Sequence, residues 1–239
     1  KPCSEIILHA TDMKISAVNL ISNNKKIRPK VKFESEKEKL TLMFNEQLKG
    51  RAKLHIEFSA KLNDNLLGFH RNKYLENNKE KYLATTQFEA PYARRAFPCF
   101  DEPELKATFD VTLKISKNLQ AISNMPVKKE RTDGSKKLVK FQRTPKMPTY
   151  LLYMGVGEFE FLEDKLGSTL IRIVTMPGKR NQARFALELT KKFLQYFEKY
   201  SGISYPLPKL DMIALPDFAS GAMENWGAIT FRDIYLLFD

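Results

Sequence analysis

ATFDVTLKI, residues 107–115, carries the pattern on which the fold turns. Phe109, Val111, Leu113 and Ile115 alternate with Thr108, Asp110, Thr112 and Lys114. Successive side chains of an extended chain point to opposite faces, so this alternation makes one face apolar and the other polar. AKLHIEFSA (52–60) repeats it, with Leu54, Ile56 and Phe58 opposed to Lys53, His55 and Glu57. Similar runs are EIILHA (5–10), ISAVNLI (15–21), LTLMF (40–44), LVKFQ (138–142) and TYLLYMGV (149–156). Many short, one-sided strands predict antiparallel sheets with one packed face, in a sandwich or saddle. Asp133-Gly134, between MPVKKER (125–131) and KKLVKFQ (136–142), predicts a hairpin turn. No internal repeat of fixed period occurs.

The pattern changes after Gly167. TLIRIVTMPG (169–178) reads as a strand ending in a Pro-Gly turn. Asn181 is then a candidate helix cap, Ala186, Leu189, Phe193, Phe197 and Tyr200 recur at helical spacing, and Gly202 is the stop. KLDMIALP (209–216) and GAITFRDIYLL (227–237) read as further strands. The expected division is a mainly β part over 1–168 and the opening of an α/β unit over 169–239. Lys1-Pro2-Cys3 leads straight into a strand pattern and Asp239 stops in mid-flow, so both ends are expected to fall inside domains.

The 239 residues can bury a sizeable core and contain no apolar run long enough to span a membrane as a helix. A net charge of +12 invites a nucleic-acid partner. The lysines are scattered, however, and their densest clusters flank the Asp133-Gly134 turn, with no aromatic residues interleaved for base stacking. Solvated faces are the expected reading, with no nucleic-acid partner. The segment 201–239 departs from the basic average, setting Lys209 and Arg232 against Asp211, Asp217, Glu224, Asp233 and Asp239. Cys3 and Cys99 form no CxxC pair, which fits reduced thiols in a cytoplasmic protein.

Catalytic machinery is hard to find. His9, His55 and His70 are the histidines, and none belongs to an HExxH helix. His55 and Glu57 share a strand face, which reads as exposed sheet rather than a metal site, and Ser220-Gly221 lacks the surroundings of a nucleophile elbow. Binding residues are easier to nominate. Glu224 sits in a small-residue turn beside Trp226, the sole tryptophan; a carboxylate in a partly dry pocket suits a free ammonium. Gly221 and Ala222 have no bulk to keep a peptide backbone away. In TTQFEAPYARRAFPCFDEPELKATF (85–109), Gln87 and Glu89 are two apart on an extended run, with Phe88 pointing the other way. An ion pair of Glu89 with Arg94 or Arg95 is an equally good local reading.

These residues also carry a resemblance. GAMENWGAITFRD (221–233) together with TQFEAPYARRAFPCFDEP (86–103) resembles the gluzincin aminopeptidases of the M1 family, as do MPTYLLYMGVGEFE (147–160) and YPLPKLDMIALPDFASGAMENWG (205–227). The resemblance is to the puromycin-sensitive and archaeal tricorn-associated branch. It implies an antiparallel β-saddle N-terminal domain followed by the start of a thermolysin-like catalytic domain, truncated before the zinc motif. It also implies that the GAMEN motif, Gly221, Ala222, Met223, Glu224 and Asn225, aligns peptide substrates, with Glu224 holding the free N-terminus. Gln87 would line the first side-chain pocket and Glu89 would be a second amine anchor. Zinc and its ligands would lie outside this sequence. A non-catalytic binding scaffold derived from the same family is the competing reading.

Overall fold

The structure, a computed structural model, describes residues 3–22 and 24–238; Lys1, Pro2 and Asp239, on which the reading of the two ends rested, lie outside them. The chain opens with β1 (Cys3–His9), β2 (Met13–Ser22), β3 (Lys25–Ile27), β4 (Lys30–Glu34), β5 (Lys39–Leu48) and β6 (Ala52–Ala60). It continues through β7 (Gly68–Glu76), β8 (Lys79–Gln87), β9 (Thr112–Ser116), β10 (Gln120–Ser123), β11 (Val127–Asp133), β12 (Lys136–Phe141) and β13 (Met154–Gly157). β14 (Glu160–Leu166) and β15 (Thr169–Thr175) precede the helix α1 (Arg184–Ser201), and β16 (Lys209–Leu215), β17 (Ala222–Met223) and β18 (Ala228–Arg232) follow it.

The first thirteen strands build antiparallel sheets in the orders β1-β5-β4, β3-β2-β6, β10-β13-β8-β7 and β11-β12-β9. The rest form one mixed sheet, β14-β15-β16-β18-β17, in which β15, β16 and β18 run parallel and α1 makes the crossover. This is the mainly β architecture with an α/β end that the alternation predicts. β14 and β15 form a hairpin around Gly167, so residue 168 lies in a turn inside this sheet.

Three apolar clusters hold these layers. One, around Leu8, Leu20, Leu40, Leu42 and Phe44, is sandwiched between the first two sheets. A second runs from Tyr74, Leu83 and Phe88 through Ile122, Val139 and Tyr153 to Ile213, Met223 and Ala228, and joins the N-terminal strands to the mixed sheet. A third lies under α1. Each buries apolar area at roughly 25 cal/mol per Å².

Local departures from the sequence reading have physical causes. Residues 107–111 keep the alternation, with Phe109 and Val111 turned inward, but the ladder of β9 begins only at Thr112. Thr149–Leu151 is a 3-10 turn after Pro148, so the strand read from 149 starts at Met154. Asn181 does not cap α1. Arg180–Ala183 forms a 3-10 turn that leads into the helix, and no side chain caps it. Gly202 ends the helix as expected, at φ +69 with its N–H on the Glu198 carbonyl. On α1, Ala186, Leu187 and Thr190 face the sheet, whereas Phe193, Phe197 and Tyr200 are 54%, 59% and 78% exposed. The sheet covers only the first half of the helix, leaving the later aromatic stripe open.

Candidate functional site

The two sequence motifs meet the same core. Phe88, fully buried, packs its ring edge-on against Phe97 at 6.0 Å, and it belongs to the same apolar cluster as Met223. Gln87 and Glu89 therefore flank one member of that cluster, and Glu224 follows another. β8 ends at Gln87, which is buried with its Oε1 lacking a hydrogen-bond partner among the described residues. Glu89 is exposed, at the start of a turn.

The arginines that compete for Glu89 are occupied elsewhere. Arg94 donates from Nε to Asp101 Oδ2 at 2.9 Å and from Nη1 to Glu38 Oε2 at 2.7 Å. Arg95 donates from Nη1 to Asp12 Oδ2 at 2.8 Å. The ion-pair reading of Glu89 is thus not realised; the carboxylate has no hydrogen-bond or ion-pair partner among the described residues.

The segment 221–226 alternates in the same way as a strand. Ala222, Glu224 and Trp226 face solvent, while Met223 and Asn225 are buried. β17 pairs only with β18, through Ala222–Phe231 and Met223–Thr230, so its other edge is free. Gly221 does not owe its identity to crowding: a Cβ there would first meet Tyr235 at 3.6 Å, ordinary contact, and its φ is not positive. What the missing side chain leaves open is approach to the main chain. Asn225 builds the following turn. Its Nδ2 donates to the Ala228 carbonyl at 3.3 Å, the Ala228 N–H returns to the Asn225 carbonyl at 3.0 Å, and Gly227 takes φ +71. Glu224 has no hydrogen-bond or ion-pair partner among the described residues.

Glu224, Asn225 and Trp226 line a pocket of about 640 Å³ completed by Pro145, Lys146, Tyr205, Pro206, Leu207, Gly227 and Ile229. Gln87 and Glu89 do not line it. Beneath it lies a buried charge cluster. Asp211 accepts from Arg172 Nε and Nη2, both at 2.7 Å, and from Lys209 Nζ at 2.7 Å; Lys209 Nζ also donates to the Gly227 carbonyl at 2.6 Å. Burial pushes the Lys209 ammonium below its ordinary pKa, with Arg172 adding to the effect and Asp211 opposing it. Sequence reasoning counted Lys209 and Asp211 only as charges of 201–239 and placed neither in a site. Their signal was two charges spaced two apart in an otherwise apolar strand, which puts both on one face of a buried sheet.

A zinc ion does not fit the described residues. Among the described residues, no group of three or more His, Cys, Asp or Glu side chains is arranged to hold a metal. His55 Nε2 lies 3.2 Å from Glu57 Oε1 on an exposed face, as the spacing predicted, and this pair stands alone. No helix among the described residues is long and apolar enough to cross a membrane, a statement that does not bear on β-barrels.

Comparison with known proteins gives concordant matches. Residues 1–151 match the family described as Peptidase M1 N-terminal domain, and residues 185–239 match the Peptidase family M1 domain. The chain is 43% identical over 241 residues to Aminopeptidase M1 of Arabidopsis thaliana, covering 98% of this chain and 27% of that protein. Identity is 49% over 187 residues to Probable aminopeptidase 2 of Sulfurisphaera tokodaii, covering 78% and 23%. It is 48% over 193 residues to Puromycin-sensitive aminopeptidase of Caenorhabditis elegans, covering 79% and 20%. The chain thus spans about a quarter of the length of the curated relatives it matches.

Proposed function

Because this chain belongs to peptidase family M1, we propose that it is the substrate-recognition portion of an aminopeptidase and receives the free N-terminus of a peptide. The observation that carries this reading is the pairing of an uncommitted acid with an open backbone. Glu224 is exposed and unpartnered beside the free edge of β17, where Gly221 is small without any packing demand. A peptide laid along that edge would pair main chain to main chain, and its terminal ammonium would meet a carboxylate. Glu89, equally uncommitted, is the second anchor, and Gln87, with an unpaired buried oxygen, borders the first side chain.

In this reading residues 1–168 serve as the N-terminal domain and 169–239 begin the catalytic domain. The β14–β15 hairpin carries strand pairing across that boundary. On the same reading, zinc would be held by residues other than the described ones and would supply the activated water for bond cleavage, while this chain's residues receive and orient the peptide. The free thiols of Cys3 and Cys99 are in keeping with a cytoplasmic location.

The test is Glu224→Gln in the full-length protein, which removes the charge and keeps the shape. Losing one charge-assisted bond in a site that the bound peptide itself shields from water costs about 2–4 kcal/mol of kcat/KM, roughly 30- to 1000-fold, for substrates with a free N-terminus. An acetylated substrate, which offers no ammonium, should lose far less from an already poor rate. Equal proportional losses on the two substrates would reject the amine-binding role.

A further inference from the structure

The segment that carries Glu224 has little sheet pairing of its own, since β17 is two residues long and lies at an edge. Side chains grip the main chain on either side of it instead. Upstream, Asn72 meets the Asp217 backbone twice: Nδ2 donates to the carbonyl and Oδ1 accepts the Asp217 N–H at 3.2 Å. Arg232 donates to the Phe218 carbonyl from Nε at 3.0 Å and Nη2 at 2.7 Å. Downstream, Asn124 Nδ2 donates to the Trp226 carbonyl at 2.9 Å, next to the Lys209 contact with Gly227.

Asn72 lies on β7 and Asn124 directly after β10, so half of this grip comes from the N-terminal sheet, 145 and 102 residues away in sequence. Both side chains are at most 1% exposed. Asn124 is also fixed from behind, donating to the Leu151 carbonyl at 2.7 Å and accepting the Tyr153 N–H at 2.8 Å. Asn72 stands opposite Leu83 on β8, the strand that leads to Gln87 and Glu89. One sheet therefore both carries Glu89 and holds the segment that carries Glu224.

We propose that Asn72 and Asn124 are positioning residues for Glu224, setting where its main chain stands relative to Glu89 and hence how a terminal amine is received. This rests on the amine-binding reading above. Burying an amide without partners is costly, and these two spend their donors and acceptors largely on backbone of the segment or on their own anchorage. A charge-assisted bond needs its atoms about 2.8 Å apart, so a displacement on the order of 1 Å removes most of its value.

A double-mutant cycle in the full-length protein tests this, read as kcat/KM on an aminoacyl-4-nitroanilide, with a melting curve for every variant. Asn72→Asp keeps size and acceptor but turns a second oxygen toward the Asp217 carbonyl; Asn124→Asp does the same at Trp226 and serves as the parallel variant if the first does not fold. Beside native Glu224, each should lower kcat/KM about 10- to 100-fold; in the Glu224→Gln background, less than about 3-fold. The same factor in both backgrounds overturns the positioning role and leaves the amine reading intact. No effect of Glu224→Gln by itself overturns the amine reading first.

Discussion

Gly227→Ala isolates how tightly the N-terminal sheet and the motif segment are pressed together. Gly227 has φ +71, a left-handed conformation that costs a residue with a Cβ about 1–2 kcal/mol. A Cβ there would also lie 2.4 Å from the Asn124 carbonyl oxygen and 3.4 Å from that of Lys209. Both neighbours are backbone, so a strand end must move, and overpacking of this kind costs about 1–3 kcal/mol more. The expected loss is therefore about 2–5 kcal/mol. Gly167→Ala is the matched control: φ is +56, and its Cβ would meet nothing within 4 Å, so only the conformational cost applies. Urea unfolding of each variant, followed by circular dichroism and by the fluorescence of Trp226, gives the difference directly. If Gly227→Ala costs no more than Gly167→Ala within about 0.5 kcal/mol, the close approach of the two backbones is wrong.

Two further outcomes are expected. Burial holds the His70 imidazole below its ordinary pKa, against the Gly68 carbonyl and Asp217. The folded protein thus binds fewer protons there than the unfolded chain, and stability falls as pH drops from about 6.5 through the lowered folded value. His70→Phe should flatten that acid limb by up to about 1.4 kcal/mol per pH unit, and an unchanged slope in urea titrations at stepped pH would count against it. Asp101, its side chain fully buried, accepts from Arg94 Nε and from Thr149 Oγ1 at 2.6 Å. Asp101→Asn should cost about 3–5 kcal/mol by leaving the Arg94 charge half-paired, and a loss below about 1 kcal/mol in the same denaturation assay would contradict this.

The fold was legible where one period dominated. The alternation of 52–60 became β6 residue for residue, and Asp133-Gly134 became the β11–β12 hairpin, because alternation and turn chemistry are both written in adjacent residues. Legibility failed where the tertiary surroundings decide. Helical spacing found α1, but an apolar stripe does not say how far the sheet beneath it extends, so the exposure of Phe197 was invisible. The motifs supplied Glu224 and Glu89, but that Glu89 is free of Arg94 and Arg95 follows only from Asp12, Glu38 and Asp101 claiming both arginines. Asn72, inside β7, and Asn124, just after β10, gave no sequence signal at all: one reads as an ordinary strand residue and the other as a turn former until their partners, over a hundred residues away, are in place.

The cluster that holds both Phe88 and Met223 has a consequence for how the chain comes apart. It makes residues from Tyr74 to Ala228 one cooperative unit, so slow amide exchange should extend across Gly167 without a step. The first six strands have their own apolar cluster, and their links to this unit include a polar latch: Arg94 to Glu38, Arg95 to Asp12, and the paired backbones of His9 and Cys99. Such a latch weakens with ionic strength while the apolar cluster does not. In salt, the N-terminal strands should lose exchange protection first, opening as a flap while the ground on which Glu224 stands stays closed.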